Sequence, residues 1–451
     1  MTVLWSAADL EIATGGVFAR DRFAVTGVAI DSRTLANGDL FVALTDSRDG
    51  HDFIPDALQN GAAGALASRD DGIGPVLLVD DPQAALTRLG EFARARATAK
   101  VAAITGSVGK STTKEMLRRI FSHFGATHAA EASFNNHIGV PLTLARMSPA
   151  ADFAVIEIGM NHPGEIAPLA AITRPHVAII TSIAASHIGM MGSIEAIADE
   201  KATLLRGLVA GGAAILPRGP HLARLARRAP DDTSIISFGT QDLAEARLIA
   251  ADSDPQGVDL AARILNRVVH LRLAAPGSHM AMNAVAALAA AAALGLDPEA
   301  AAAALDGFVP LAGRGARRRL RLGDIAITII DESYNASAAS VRAALDVLAL
   351  HEGRHVVVLG DMLELGDFAD REHRDLADPV AAVADLVLAC GEKMRLMADD
   401  LPDTCPHRWA DSAEKLAPLV RDALRDGDVV LVKGSFGSRM RTIITTLEAA
   451  A

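Results

Sequence analysis

Cysteine and positive charge are scarce in this sequence. The 451 residues include 2 cysteines, Cys390 and Cys405, which fit no metal-binding spacing. In a cytosolic chain, two such residues are expected to be reduced thiols and not a disulfide. The formal net charge of −12 argues against a nucleic-acid or anionic-membrane partner, because such partners require a surplus of Lys and Arg on one face. Anionic ligands must therefore be held by local basic residues.

A long apolar segment is also missing. The longest apolar stretch, 284–296, has thirteen residues and is mostly Ala, which is short of the roughly 20 needed to span a bilayer. It is predicted to be a buried helix. The first ten residues lack a basic segment followed by an apolar core, so a cytoplasmic protein with no membrane partner is expected.

The chain is longer than one hydrophobic core normally supports. At about 150 residues per domain, its length predicts roughly three domains. The predicted fold class is α/β. A small α/β domain is expected over residues 1–97, a central parallel-sheet domain like that of P-loop ATPases over 98–311, and a Rossmann-like doubly wound domain over 312–451. The second boundary falls in the Pro- and Gly-containing segment 308–313, where the alanine-rich helices end.

Two series of short apolar strands alternate with helical segments. Strands are predicted at 101–104, 153–158, 177–183 and 213–216 in the central domain. In the C-terminal domain they are predicted at 325–330, 355–359, 386–390 and 429–432. This alternation is typical of parallel sheets with crossover helices.

The segment 105–113, with the sequence TGSVGKSTT, lies between the first central strand and a helical pattern. Small residues let backbone N–H groups close around an anion, and the following helix adds its positive end. Lys110 supplies charge for the outer phosphates of a nucleotide, and Ser111 offers a hydroxyl to Mg²⁺. The usual pattern has a glycine where this chain has Ile104. The predicted nucleotide-binding residues are Thr105, Gly106, Ser107, Val108, Gly109, Lys110, Ser111 and Thr112.

Polar side chains also follow the next two central strands. Glu157 lies at the carboxyl end of one strand and His187 lies past the end of the other. Because the carboxyl ends of parallel strands border one crevice, both are candidate Mg²⁺ ligands beside the phosphate loop. The alternatives are a solvated strand end for Glu157 and a structural role for His187. Lys201 lies in a helical pattern over 193–209 and, on that pattern alone, is a surface lysine.

Together these motifs resemble the bacterial Mur ligases, ATP-dependent enzymes that form amide bonds in peptidoglycan precursor synthesis. The shortened phosphate loop is that family's form, which accounts for Ile104. The resemblance covers nearly the whole chain. It matches six polar positions of the family: Lys110, Glu157, His187, Asn283, Arg314 and Asp331.

The resemblance implies a role for each matched position. Lys110 would hold the β and γ phosphates of ATP, and Glu157 and His187 would bind Mg²⁺. Asn283 would contact the adenine, Arg314 the phosphates, and Asp331 the ribose. Lys201 aligns with a lysine that these ligases carry as a carbamate, which would make it a further metal ligand. The implied catalytic residues are Lys110, Glu157, His187 and Lys201, and the implied metal ligands are Ser111, Glu157, His187 and Lys201.

Within the family, the segments 135–141, 157–166, 331–336 and 360–366 resemble the ligase that joins D-alanyl-D-alanine to UDP-N-acetylmuramoyl-tripeptide. The N-terminal segments 31–33, 38–44 and 49–53 resemble its uridine-diphosphate-binding part. The resemblance implies an acyl-phosphate intermediate and release of ADP and phosphate. The implied substrate contacts are Ser32, Arg33, Asn135, Asn136, Tyr334 and Asn335.

Two rival functions are considered, and the segments 135–139 and 331–336 speak against both. One is a nucleotide switch that hydrolyses ATP or GTP to change its affinity for a partner. The other is a different ligase of the superfamily, such as a folylpolyglutamate synthase or the enzyme that adds the diamino acid. The sequence does not identify the third residue of the tripeptide, the base that deprotonates the incoming amine or the oligomeric state, for which a monomer is expected.

Overall fold

The computed structural model describes residues 2–130 and 133–451. In these residues the strands form three sheets of five, nine and six strands, and each sheet is built from one contiguous part of the chain. Helices pack on the faces of all three sheets. The predicted α/β fold class is thereby confirmed.

The N-terminal sheet has the order β1-β5-β4-β3-β2, parallel except for the edge strand β1. Its strands are β1 Val17–Phe18, β2 Gly27–Ala29, β3 Asp39–Val42, β4 Gly64–Ala67 and β5 Val76–Leu78. Its helices are α1 Ala7–Thr14, α2 Ile54–Gln59 and α3 Pro82–Arg96, with a 3-10 turn at Gly50–Phe53. Helix α3 begins at a strong start signal, because the Asp81 side chain accepts hydrogen bonds from two backbone N–H groups and Pro82 follows it.

The central sheet has the order β14-β13-β12-β11-β10-β9-β6-β8-β7. Its strands are β6 Lys100–Thr105, β7 Thr127–Ala129, β8 Phe153–Glu157, β9 Val177–Ile180, β10 Ala213–Pro217, β11 Ser234–Gly239, β12 Ala246–Asp254, β13 Gly257–Ile264 and β14 Arg267–Leu273. Strands β6 to β12 are parallel, whereas β12, β13 and β14 form an antiparallel meander that the sequence pattern was not taken to predict.

The central helices are α4 Lys110–Phe124, α5 Gly139–Ala145, α6 Ile166–Thr173, α7 Ile188–Met191, α8 Ile194–Ala202, α9 Leu222–Ala226, α10 Ser278–Ala293 and α11 Pro298–Leu305. The single helix predicted over 193–209 is α8 followed by the 3-10 segment Thr203–Gly207. The predicted buried Ala-rich helix is α10, which lies against β9 to β13.

The C-terminal sheet has the order β15-β16-β20-β17-β18-β19, parallel except for the edge strand β15. Its strands are β15 Ala316–Leu322, β16 Ile325–Glu332, β17 His355–Gly360, β18 Leu386–Cys390, β19 His407–Ala410 and β20 Val429–Lys433. Its helices are α12 Ala338–Leu348, α13 Ala369–Arg374, α14 Ala377–Ala381, α15 Met394–Asp399, α16 Ala413–Ala423 and α17 Arg441–Ala449, with 3-10 turns at Gly366–Phe368 and Phe436–Ser438.

The sheets are joined by buried contacts. The Trp5 indole N–H donates to the Ala145 carbonyl, and the Arg94 guanidinium donates to the Thr173 carbonyl, which fixes the N-terminal part against the central part. One apolar cluster runs from Ile188 and Met191 of the central part to Leu365 of the C-terminal part. Within the described ranges, no helix has the length and apolar character needed to cross a bilayer.

Candidate active site

The carboxyl ends of three neighbouring strands meet at one edge of the central sheet. Strand β6 lies between β8 and β9, with Ile104 opposite Glu157 and Thr105 opposite Ile180. The loop that follows β6 therefore starts beside Glu157. This edge is the position where open α/β sheets bind ligands.

The loop after β6 is held in place by hydrogen bonds to the segment that follows β9. The Ser107 hydroxyl donates to the Ala184 carbonyl, and the Val108 N–H donates to the Ser182 hydroxyl. Gly109 has φ +87°, and a Cβ atom there would lie 2.5 Å from Asn283 Oδ1 on α10. Glycine is required at this point both by the backbone conformation and by the approach of α10.

Lys110 begins helix α4 and folds back over the loop. Its Nζ donates a 2.7 Å hydrogen bond to the Gly106 carbonyl. Burial lowers the pKa of Lys110, Glu157 raises it, and the nearby Arg314 lowers it further. Because charged Lys110 is poorly solvated here, a bound anion would be favourable. A helix N-terminus with backbone N–H groups and a lysine is a phosphate site.

Glu157 is buried and fully engaged by polar neighbours. The Ser111 hydroxyl donates to Glu157 Oε2 at 2.7 Å, and the Asn135 amide donates to Oε1 at 2.7 Å. Glu157 is 1% exposed. A hydroxyl and a carboxylate in direct contact at the phosphate end are the hard oxygen donors that Mg²⁺ prefers.

His187 precedes helix α7 and reaches the same edge. Its Nδ1 lies 2.5 Å from Glu364 Oε2, which belongs to the C-terminal part of the chain. The side-chain contact with His187 lowers the pKa of Glu364. Among the described residues no hydrogen bond to Nδ1 meets the usual geometry, and the Glu364 carboxylate is the group that lies at contact distance.

Lys201 is not a surface residue. It is 1% exposed on helix α8, and burial, followed by repulsion from Lys110, lowers its pKa well below the usual value. The adjacent Glu200 accepts backbone hydrogen bonds from Gly164 and Ile166 at the start of α6, so it is already engaged. A buried neutral amine is the form that can react with CO₂.

The side of the site formed by the C-terminal part carries Arg314, Tyr334 and Glu332. The Arg314 guanidinium lies 4.1 Å from the centre of the Tyr334 ring and donates to the Ser133 hydroxyl. The Lys433 ammonium, which is almost fully buried, lies 3.0 Å from Glu332 Oε2 and also donates to the Asn335 carbonyl. Among the described residues, Lys433 is the hydrogen-bond donor to the Glu332 carboxylate.

These groups enclose a cavity of about 350 Å³ between the central and C-terminal parts. That volume falls in the range of small-molecule sites. The predicted residues that line it are Ser107, Val108, Gly109, Lys110, Ser111, Thr112, Asn135, Glu157, His187, Asn283, Arg314, Tyr334 and Asn335. The predicted residues outside its lining are Ser32, Arg33, Thr105, Gly106, Asn136, Lys201 and Asp331.

Asp331, for which the resemblance implies a ribose contact, lies outside the lining of the cavity. Its carboxylate is fully buried, accepts a 2.6 Å hydrogen bond from the Ser333 hydroxyl and lies 3.5 to 3.6 Å from Arg318 and Arg441. Successive side chains of a strand point to opposite faces. Since Asp331 faces α17, its neighbour Glu332 faces the cavity.

Three other predicted residues outside the cavity have local partners. The Asn136 side chain accepts the Gly139 N–H at the start of α5. Arg33, exposed in the N-terminal part, pairs with Asp31, and this hydrogen bond lowers the pKa of Asp31 to about 2. Ser32 is buried beside it, and its carbonyl accepts from the Asn60 amide.

The sequence reading missed Glu332, Glu364 and Lys433 as lining residues of the cavity. A signal existed for Lys433, because a charged residue ends the buried strand β20. Glu364 carried no comparable signal, since it lies in an exposed loop between two elements.

A metal ion at this site would need ligand atoms from a bound nucleotide as well as from the protein. Across residues 2–130 and 133–451, no group of three or more His, Cys, Asp and Glu side chains is placed to hold a metal ion alone. Mg²⁺ usually takes one or two protein ligands and completes its shell with phosphate oxygens and water. Ser111 and Glu157, next to Lys110, fit that mode.

Comparison with known proteins gives three family matches along the chain. The model described as "Mur ligase family, catalytic domain" matches residues 24–104. "Mur ligase middle domain" matches 104–291, and "Mur ligase, glutamate ligase domain" matches 317–436.

Individual relatives match over almost the full length. A UDP-N-acetylmuramoyl-tripeptide--D-alanyl-D-alanine ligase from Synechocystis is 34% identical over 434 residues, covering 94% of this chain and 92% of the relative. A crystal structure of MurF from Acinetobacter baumannii has 31% identity and a TM-score of 0.87, covering 99% of each chain. MurF ligase from Thermotoga maritima in complex with ADP has 24% identity and a TM-score of 0.80, covering 94% of this chain and 97% of that one, and shows the shared fold.

Proposed function

The chain belongs to the Mur ligase family, and we propose that it is the member that joins D-alanyl-D-alanine to UDP-N-acetylmuramoyl-tripeptide at the expense of ATP. It is an ATP-dependent ligase of peptidoglycan precursor synthesis. The observation that carries the proposal is the single cavity in which the anion-binding loop, the Ser111–Glu157 pair and the side chains of the C-terminal part meet.

The phosphates of ATP bind at the start of α4. Lys110 exchanges its hydrogen bond to the Gly106 carbonyl for the outer phosphate oxygens, and the backbone N–H groups of the loop enclose the chain of phosphates. Arg314 lies on the opposite wall, where its guanidinium neutralises the transferred phosphoryl group. Asn283 of α10 lies close to Gly109 of the phosphate loop. An adenine that contacts Asn283 therefore lies next to α10.

Glu332, and not Asp331, takes the ribose hydroxyls in this proposal. Its carboxylate lines the cavity and is oriented by Lys433, whereas the Asp331 carboxylate is turned toward Arg318 and Arg441. A carboxylate can accept hydrogen bonds from both hydroxyls of a ribose.

Ser111, Glu157 and His187 would hold Mg²⁺ together with the phosphates. The metal would withdraw charge from the phosphoryl oxygens during transfer. Lys201, as a carbamate, would add anionic oxygens behind this group. Burial and the repulsion from Lys110 support the neutral amine that carbamate formation requires.

The reaction follows from these positions. An oxygen of the tripeptide carboxylate bonds to the γ-phosphorus, the bond to ADP breaks, and an acyl phosphate forms. The dipeptide amine attacks the carbonyl carbon, loses a proton, and phosphate leaves as the tetrahedral oxyanion collapses. Lys110 and Arg314 face the oxygens on which charge develops, so catalysis is mainly positioning and electrostatics.

The uridine diphosphate end binds to the N-terminal part in this proposal, where Arg33 is exposed next to Ser32. The proposed peptide contacts are Asn135, Tyr334 and Asn335, which line the cavity, and Asn136, which follows Asn135 in the chain. In this proposal the chain divides into domains at 97 and 311, and the building of each sheet from one contiguous part of the chain supports that division. In this proposal the protein acts in the cytoplasm, where its substrate ATP is found, and it acts as a monomer, since one chain supplies the lining of the cavity.

Phosphate release from ATP and Mg²⁺ tests the function. It is measured with UDP-N-acetylmuramoyl-tripeptide alone, with D-alanyl-D-alanine alone and with both. Release only with both substrates is expected. Release that does not depend on the dipeptide would favour a nucleotide switch, and release with glutamate or a diamino acid in its place would favour another ligase of the superfamily.

A second experiment tests the carbamate. Lys201→Ala should lose activity and regain part of it with added short carboxylates, which can supply the missing oxygens. Full activity in Lys201→Gln, together with no rescue of Lys201→Ala, would contradict the carbamate.

A further inference from the structure

A glycine-to-glycine contact joins the central and C-terminal parts beside the active site. Helix α7 packs against the 3-10 turn Gly366–Phe368. A Cβ atom on Gly189 would lie 2.4 Å from the Gly366 backbone nitrogen. Because this neighbour is backbone, it cannot move aside as a side chain could. The two parts can approach this closely only with glycine at both positions.

The same contact brings Glu364 onto His187. The Gly189 N–H donates a 3.2 Å hydrogen bond to the Glu364 carbonyl, and the Glu364 carboxylate lies 2.5 Å from His187 Nδ1. The backbone contact and the side-chain contact thus involve the same two short segments. The His187 side chain is 16% exposed, so few other groups can reach its ring.

Both residues have an uncommon backbone conformation. His187 has φ +59° and Glu364 has φ +66°, which is the left-handed region that non-glycine residues rarely adopt. Such conformations persist where the surroundings impose them, and they cluster at functional sites. Here the two strained residues face each other across the boundary between the two parts.

We propose that Glu364 is a positioning residue that couples closure of the C-terminal part to the orientation of His187. This inference rests on the proposed function. When the parts close, the Glu364 carboxylate takes the Nδ1 side of the ring and leaves Nε2 directed to the phosphate end of the cavity. Partners on the second nitrogen of a metal-binding histidine fix its tautomer and orientation, and their loss typically costs about 10- to 100-fold in affinity or activity. Glu364 itself touches no reacting atom.

The test follows nitrogen coupling to bound Mn²⁺, used in place of Mg²⁺, by pulsed electron paramagnetic resonance. The full chain is loaded with Mn²⁺ and ADP, so no turnover is needed. We expect a histidine nitrogen coupling in the wild type that disappears in His187→Asn. Glu364→Ala should weaken it strongly, and Glu364→Gln partly, with Mn²⁺ still bound. Asp367→Asn, which removes an exposed charge from the same loop, should leave it unchanged.

A second substitution disturbs the contact between Glu364 and His187 through the backbone. Gly189→Ala should separate the segments and reduce the nitrogen coupling as Glu364→Ala does. Gly219→Ala, where a Cβ atom meets nothing within 4 Å, is the matched control. In turnover, both Glu364→Ala and Gly189→Ala should lower kcat about 10- to 100-fold with little change in the KM for ATP.

Undiminished nitrogen coupling in Glu364→Ala, at equal Mn²⁺ occupancy, would overturn the proposal. So would a wild-type coupling that survives His187→Asn. Failure of the proposed function would be seen separately, as wild-type turnover that does not depend on the dipeptide, and the Mn²⁺ measurement would still report on Glu364. Circular dichroism and Tm of each variant distinguish lost folding from lost positioning.

Discussion

The Gly109→Ala substitution tests whether the phosphate loop and α10 form one nucleotide site. Gly109 has φ +87°, and a Cβ atom there would lie 2.5 Å from Asn283 Oδ1. Alanine at this position therefore has a backbone cost and a contact cost. Gly164 has the same φ of +87° but nothing within 4 Å of its Cβ position, so Gly164→Ala has the backbone cost alone.

The magnitudes of the two costs can be separated. A left-handed conformation costs an alanine roughly 1–2 kcal/mol, so both variants should lose about that much free energy of unfolding. At Gly109 the Asn283 amide must also move, which would remove the proposed hydrogen bond to the adenine, worth about 1 kcal/mol, and shift the backbone N–H groups around the phosphates. Since 1.4 kcal/mol is tenfold in affinity, the Kd for ADP should rise by about tenfold or more.

Isothermal titration with ADP and Mg²⁺ measures this loss, and urea unfolding measures stability. In the Asn283→Ala background, Gly109→Ala should weaken ADP binding much less, because the colliding atom is gone. Equal ADP affinities for Gly109→Ala and Gly164→Ala would refute the reasoning. An undiminished effect of Gly109→Ala in the Asn283→Ala background would refute the role of Asn283.

Three more predictions address stability and the ribose contact. Burial, together with nearby positive charge, lowers the pKa of His176 from 6.5 to about 4, so the unfolded chain binds a proton that the folded one excludes. The free energy of unfolding should therefore fall by ~1–2 kcal/mol as the pH drops from 6.5 to 4, and the Tm of His176→Gln should change less across that window. Arg94→Met should lower the free energy of unfolding by about 2–3 kcal/mol, measured in urea, because the buried Thr173 carbonyl loses a charged donor. In titrations, Glu332→Gln should reduce the preference for ADP over 2′-deoxy-ADP, and Asp331→Asn should leave that preference unchanged. The reverse result would show that Asp331, and not Glu332, contacts the ribose.

Much of the central site could be predicted from the sequence because it is local. The order of strand, small-residue loop and helix around Lys110 is contained in about twenty consecutive residues, and each part has its own pattern. Glu157 stood out because a carboxylate at the end of an apolar strand needs a partner, and the structure supplies Ser111 and Asn135.

The antiparallel meander β12–β14 was missed, and for β12 the reason is physical. Strand β12 carries a run of exposed residues after Leu248, so its period-2 signal is weak. Strands β13 and β14 alternate buried with more exposed residues along most of their length, which is a signal that could have predicted them. The burial of Lys201 was likewise invisible, because a lysine within an amphipathic helix normally faces water.

The sequence by itself determined the phosphate loop, the α/β class and the family, since these depend on neighbouring residues and on spacing that no tertiary contact can alter. Only the tertiary structure distinguishes the surroundings of Asp331 from those of Glu332, and the ribose contact proposed for Glu332 rests on that difference. The two are adjacent on strand β16 and chemically equivalent, so the choice depends on which face of the sheet meets α17 and which meets the cavity. It also brought Glu364 to His187, because a contact between distant segments follows from the packing of whole domains and leaves no local pattern in either segment.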